Sequence, residues 1–309
     1  MVWASISSRR TVAVVAVVAA VFASGGLSGC ARNARESGHA GPPSVVASTD
    51  VWGSVAKAVA GDDARVSSII SSGSADPHSY EASPADAAKI SDASIVVFNG
   101  GGYDPWVQAV LDNHPGVPAV DAYSLLDAPT EARPANEHVF YDIRTAKAVA
   151  TALATRLSEA DPAHTSEYHS RAEQFGKQAD EIQAAEQDLA ARYPGTAVVA
   201  TEPVAHYLLR SAGLNDKTPP GFATAVEQDT DPAPVDVAAM LDLITSRKVA
   251  AVIFNDQTVT EATRRVRRAA EDARVPVVPV TETLPAGRDY LAWQTDAVNR
   301  LAAALRESR

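Results

Sequence analysis

The hydrophobic pattern divides the chain into blocks. Arg9 and Arg10 precede an almost wholly apolar run at 11–24, and small residues then lead to Leu27-Ser28-Gly29-Cys30. A basic start, an apolar stretch of about 7–15 residues and a small-residue cleavage site make an export signal, here 1–29. The run is too short to span a bilayer, which takes about 20 apolar residues. Residues 30–43 are mostly small and polar and carry Gly and Pro, so they read as a flexible tether.

From residue 44 onward, continuous apolar runs alternate with helical periodicity. The runs at 44–49, 64–70 and 94–99 read as buried strands. A helix is expected over 52–60. Another starts at Ser83-Pro84-Ala85-Asp86, with Ser as the cap, Pro in the first turn and an acid at the third position, and runs to residue 91. The second half repeats the order: strand 197–201, helix 204–212, a helix from Asp231-Pro232 to residue 246, and strand 249–255. The segments VVAST and VVATE occupy matching places, as do IVVFN and AVIFN. Alternation of strand and helix in both halves predicts parallel sheets.

Between the halves, a helix at 144–159 is followed by a break at Asp161-Pro162. Residues 165–192 then hold no proline and one glycine and are rich in Ala, Glu, Gln and Lys. They predict one helix of about 42 Å at 1.5 Å per residue, long enough to cross a domain and to act as a stiff strut. The expected fold class is therefore α/β: two similar parallel-sheet lobes, 44–160 and 195–309, joined by a long backbone helix within 161–194.

Composition narrows the function. With 309 residues, 46% of them hydrophobic, the chain can bury a large core and is not disordered. The formal net charge is −11, and the signal holds two Arg and no acid, so the mature chain carries −13. Such acidity argues against nucleic acid as a partner, because phosphate contacts need clustered Lys and Arg. The single cysteine excludes a disulfide scaffold and a Cys-rich zinc module. Two of the seven histidines, His78 and His138, sit in loops just before expected helices, where ligands gather in α/β folds. His39, His114, His164, His169 and His206 lie in the tether, in a loop or on helices and read as solvated or packed.

Several segments carry a family resemblance. Leu27-Ser28-Gly29-Cys30 resembles a bacterial lipobox, with Cys30 as the acylated first residue of the mature chain. The segment DPHSYEASPAD at 76–86 resembles the DPHxYEPSPxD segment of the metal-binding lipoproteins of ABC importers, the ZnuA/TroA/PsaA-like family of solute-binding proteins. NEHVFYD at 136–142 resembles that family's NPHVWLD, with Glu137 in place of the proline. The resemblance runs from about residue 45 to the C-terminus. It implies a metal site in the interlobe cleft, held by two side chains from each lobe. His78 and His138 carry over directly. At the third place the chain reads EPVAHYL, which puts Glu202 at the ligand position, ahead of His206. At the fourth, VTETL resembles the family's FTDSL and nominates Glu282, with Asp256 and Asp289 as rivals. Glu81 and Asp142 are read either as acceptors for ligand imidazoles or as helix N-terminal charges.

Two imidazoles and two carboxylates suit a divalent transition metal, Zn²⁺ or Mn²⁺, with Fe²⁺ also admissible. Zn²⁺ is favoured by raw affinity, whereas the second carboxylate shifts preference towards Mn²⁺. The stretch 125–137 has no histidine, so no His-rich collecting loop argues for zinc. Because imidazoles must be neutral to coordinate, affinity is expected to weaken as pH falls through about 6.5. The resemblance implies a monomer tethered by lipid at Cys30 to the extracytoplasmic face of the cell membrane, delivering its ion to an ABC permease. Nothing marks an enzyme: no G-x-S-x-G, HExxH or Walker loop occurs. The rival readings are a two-lobed binder of a metal chelate, of siderophore or cobalamin type, and a metal-containing surface adhesin.

Overall fold

The computed structural model describes residues 41–71, 73, 75–127 and 135–308. The expected signal, Cys30 and the tether up to residue 40 lie outside the described residues. Among those described, no helix is long and apolar enough to cross a membrane.

The first half runs β1 (Ser44–Thr49), α1 (Asp50–Ala60), β2 (Arg65–Ile70), α2 (Pro84–Ser91), β3 (Ile95–Phe98), α3 (Pro105–Asn113) and β4 (Ala119–Asp121). Helices α4 (Ile143–Ala160) and α5 (Thr165–Arg192) follow. The second half runs β5 (Ala197–Ala200), α6 (His206–Ser211), β6 (Asn215–Asp216), α7 (Pro220–Glu227), α8 (Pro234–Thr245), β7 (Val252–Asn255), α9 (Glu261–Ala273), β8 (Val277–Val280) and α10 (Tyr290–Glu307).

Each half builds a four-stranded, all-parallel sheet, ordered β2-β1-β3-β4 and β6-β5-β7-β8. The two orders correspond strand for strand, so the paired segments VVAST/VVATE and IVVFN/AVIFN do mark a structural repeat. β3 and β7 are buried along their whole length, as befits parallel strands covered on both faces. In such sheets the carboxyl ends of all strands share one edge, and ligand-bearing loops gather there.

The strut is present as expected. α5 has 28 residues and turns a buried stripe towards the core at Tyr168, Ala172, Phe175, Ala179, Ile182, Glu186 and Leu189. The steps of three and four keep these positions on one helical face. One apolar core runs from β1 and α1 through α4 and this stripe to β5 and α10, so the two sheets share it. α10 is tied back to the first half: Tyr290 N–H donates to Ser54 Oγ on α1 at 2.9 Å, and Tyr290 hydroxyl donates to the Phe140 carbonyl at 2.8 Å.

Candidate metal centre

His78 follows β2 in a loop held at several points. Its backbone N–H donates to Asp76 Oδ1 at 2.9 Å, and Ser79 hydroxyl donates to Asp76 Oδ2 at 2.9 Å. Trp106 Nε1 on α3 donates to the Pro77 carbonyl at 3.2 Å. The loop ends in the expected capping box, Ser83 with Asp86, at the start of α2.

His138 precedes α4, in a segment bound to both halves. Its Nδ1 lies 3.2 Å from Asn136 Oδ1. A hydrogen on Nδ1 satisfies Asn136 and leaves the Nε2 lone pair facing the pocket. Asn99, at the end of β3, donates from Nδ2 to the Glu137 carbonyl at 2.8 Å. Tyr207 hydroxyl, from α6, donates to the Asn136 carbonyl at 2.6 Å, and Tyr141 hydroxyl donates to the Thr281 carbonyl at 2.9 Å.

Glu202 lies two residues past β5, and Glu282 lies two residues past β8. A single asparagine at the end of β7 serves both: Asn255 Nδ2 donates to Glu202 Oε2 and, at 2.9 Å, to Glu282 Oε1. Gln257 Oε1 accepts from Glu282 N–H at 2.5 Å and from Thr283 N–H at 3.1 Å, which fixes the loop after β8. Glu282 Oε2 is buried and has no hydrogen-bond partner. It lies 3.7 Å from Nε2 of His78 and 3.7 Å from Nε2 of His138.

Among the described residues, His78, His138 and Glu282 offer ligand atoms all within 4.8 Å of one another. Glu202 lines the same pocket without joining that closest set. The rivals lie elsewhere. Asp256 is exposed and paired with Arg267 at 3.2 Å. Asp289 caps α10, accepting from Ala292 N–H at 2.8 Å. His206 is exposed at the start of α6. The chain after Glu202 begins with a 3-10 turn, Pro203–Ala205, not the α-helix expected from residue 204, so residues 202 and 206 do not share a helical face. Glu81 is exposed, and Asp142 caps α4 through Arg144 N–H at 3.0 Å; the acceptor beside a ligand imidazole is Asn136.

Among the residues at the site that the sequence did not mark as functional are Asn255, which holds two of the pocket's carboxylates, and Glu227, which lines the pocket. Asn255 sits one position before the rival Asp256, and only the IVVFN/AVIFN pairing marked it. Glu227 closes α7, with Oε1 3.6 Å from His138 Nε2 and Oε2 buried without a partner. A lone acid at the end of an apolar helix gives no spacing signal.

Burial and charge set the protonation. Burial works to lower the His78 pKa, but the carboxylates of Glu282, Asp76 and Glu137 outweigh it and push it up to about 9. His138 goes the other way: complete burial brings it down to about 4, so it is neutral at pH 7. Burial, then the Glu282 charge, raises Glu202 to about 8. Burial and Glu137 raise Glu227 to about 8. Burial would raise Glu282 too, but the two histidines hold it below its usual value. At neutral pH Glu282 is thus the ionised carboxylate of the pair Glu202 and Glu282.

The family model for the periplasmic zinc-uptake complex component A matches residues 45–304. The iron-binding protein YfeA of Yersinia pestis is 25% identical over 224 residues, 70% of each chain. The manganese ABC transporter substrate-binding lipoprotein PsaA of Streptococcus pneumoniae serotype 4 is 21% identical over 265 residues, 81% of this chain and 83% of its own. The solved periplasmic zinc binding protein TroA from Treponema pallidum superposes with a TM-score of 0.71 at 22% identity, covering 86% of this chain and 99% of that one.

Proposed function

The chain belongs to the zinc-uptake complex component A family, and from that premise we propose that it is an extracytoplasmic solute-binding lipoprotein which captures a divalent transition metal for an ABC permease. Its relatives include proteins named for manganese and iron, and one of its structural neighbours is named for zinc. The ion is cargo, carried and not turned over. His78, His138, Glu202 and Glu282 would hold it, with Cys30 as the lipid attachment and 1–29 as the signal.

One observation carries this reading. Glu282 Oε2 is buried, accepts no hydrogen bond, and stands 3.7 Å from the Nε2 of each of two imidazoles. A buried carboxylate oxygen without a partner costs free energy, and a cation between it and the imidazoles removes that cost. The donor set of nitrogen and oxygen suits Zn²⁺, Mn²⁺ or Fe²⁺, not a soft ion that needs sulfur.

Metal-depleted protein, reloaded with Zn²⁺ and Mn²⁺ in competition and assayed for metal content, should take up one ion per chain. His138→Ala and Glu282→Gln should lose most of that binding, whereas Asp256→Asn should retain it. Retention by Glu282→Gln together with loss by Asp256→Asn would reverse the assignment of the fourth ligand. Binding of a siderophore or cobalamin by protein that takes no free ion would favour the chelate reading.

A further inference from the structure

Beside the set of His78, His138 and Glu282 lies a second one. His78, Glu137 and Glu227 also offer ligand atoms within 4.8 Å of one another. The two sets share His78 and differ in depth. The His138 side chain is 1% exposed and that of Glu282 11%, while Glu227 is 20% and His78 28% exposed. Glu137 is likewise only half-buried. An ion arriving from solvent therefore meets His78 and the two outer carboxylates before it meets His138.

The outer residues are also built for the task. Glu137 replaces a proline of the resembling segment, and its backbone carbonyl is anchored by Asn99 Nδ2 at 2.8 Å. Glu227 faces both sets: Oε1 is 3.6 Å from His138 Nε2, and Oε2 is buried with no hydrogen-bond partner. Deeper in, the unpartnered Oε2 of Glu282 is aimed at the shared His78.

We propose that His78, Glu137 and Glu227 form an outer cation site at the mouth of the cleft, which takes a divalent ion first and passes it inward to His138 and Glu282 while His78 stays bound. The proposal rests on the metal-carrier reading above. Because one imidazole belongs to both sets, the ion occupies one or the other. Carboxylates exchange for His138 and Glu282 one ligand at a time, so the ion is never left with water alone. A device of this kind speeds arrival and departure together and leaves the equilibrium affinity nearly unchanged.

The test is stopped-flow binding of Zn²⁺ and Mn²⁺ to the whole mature chain, comparing wild type with Glu137→Gln, Glu227→Gln and the double substitution. Asp256→Asn serves as a surface-charge control, and a thermal melt checks each fold. Association and dissociation rates should both fall on the order of tenfold in the double variant, with Kd little changed. Unchanged rates overturn the relay. So does a fall in association alone that high salt abolishes, because that marks long-range attraction only. A Kd weakened in step with a faster dissociation also overturns it, because Glu137 and Glu227 would then be ligands of the final site. Should the double variant misfold, Glu137→Gln alone must show the paired slowing. Wild type that binds neither ion overturns the carrier reading and the relay together, whereas wild-type binding with unaltered variant rates overturns the relay alone.

Discussion

Asn255 amide hydrogens reach both Glu202 and Glu282, yet an amide carries no charge to offset theirs. Two buried carboxyls this close cannot both ionise at low cost, and the result is asymmetry: Glu202 is raised to about 8 while Glu282 stays ionised beside the histidines. His78, at about 9, keeps its proton at neutral pH for the same reason, its carboxylate neighbours. A divalent ion must displace these protons, since a protonated imidazole or carboxyl cannot coordinate. The sign follows: affinity climbs with pH until the free site has lost them, through about 8 to 9, and not merely through the 6.5 of an ordinary imidazole. Titrations across this range should show Kd still tightening above pH 7. Calorimetry in buffers of different ionisation heat should show proton release on binding. A flat Kd above pH 7 would contradict this protonation scheme.

Helix α5 shows what an element can and cannot absorb. Its buried stripe is apolar except at Glu186, which is 1% exposed and accepts from Ser211 hydroxyl on α6 at 2.6 Å. Its other oxygen, Oε1, has no partner. Burial raises this carboxyl from 4.5 to about 7. A raised carboxyl contributes stability that is fully present below about pH 4.5 and is lost as pH rises through about 7. Glu186→Gln does not titrate and keeps an acceptor for Ser211. It should therefore match wild type near pH 4.5 and exceed it at pH 8, by up to about 3 kcal/mol in chemical denaturation. Equal stability of the two proteins at pH 8 would show that Glu186 ionises without penalty. α2 is a contrasting case. There the buried Asp86 takes hydrogens from Ser83, Tyr80 and Lys89, which overcome burial and bring its pKa down to about 2, and its capping box fixes the end of the His78 loop.

Taken whole, the described molecule has two sheets that share one large apolar cluster, and each sheet packs a smaller cluster of its own besides. The apolar cluster that begins in β1 continues through α4 and α5 into α10, so neither sheet is a separate folding unit in terms of burial. A shared core predicts one cooperative transition in calorimetry, with and without metal. Saturating metal at about 100 times Kd should add about 2.7 kcal/mol and raise the midpoint by several degrees. Two separable transitions would show that the lobes unfold independently. Much of this architecture was legible in the amino-acid order. Parallel strands buried on both faces leave unbroken apolar runs, and a long helix without proline leaves its own periodic stripe, so five of the eight described strands, α5 and the repeat between halves could be read directly, whereas the short β4, β6 and β8 were not assigned. His78 and His138 were marked by local segments with a distinctive order of residues. The acids were not. The VTETL segment favoured Glu282 over Asp256, yet one acid lies two residues past β8 and the other just past β7, and the local sequence does not show where either points. Folding buries Glu282 against two imidazoles and leaves Asp256 on the surface with Arg267. The same holds for Glu227 and Asn255, whose partners lie tens of residues away. Local pattern determined the elements, because periodic burial is written residue by residue. Only the tertiary structure decided which carboxylates converge, and which of them keep their protons, because both depend on distances between segments remote along the chain.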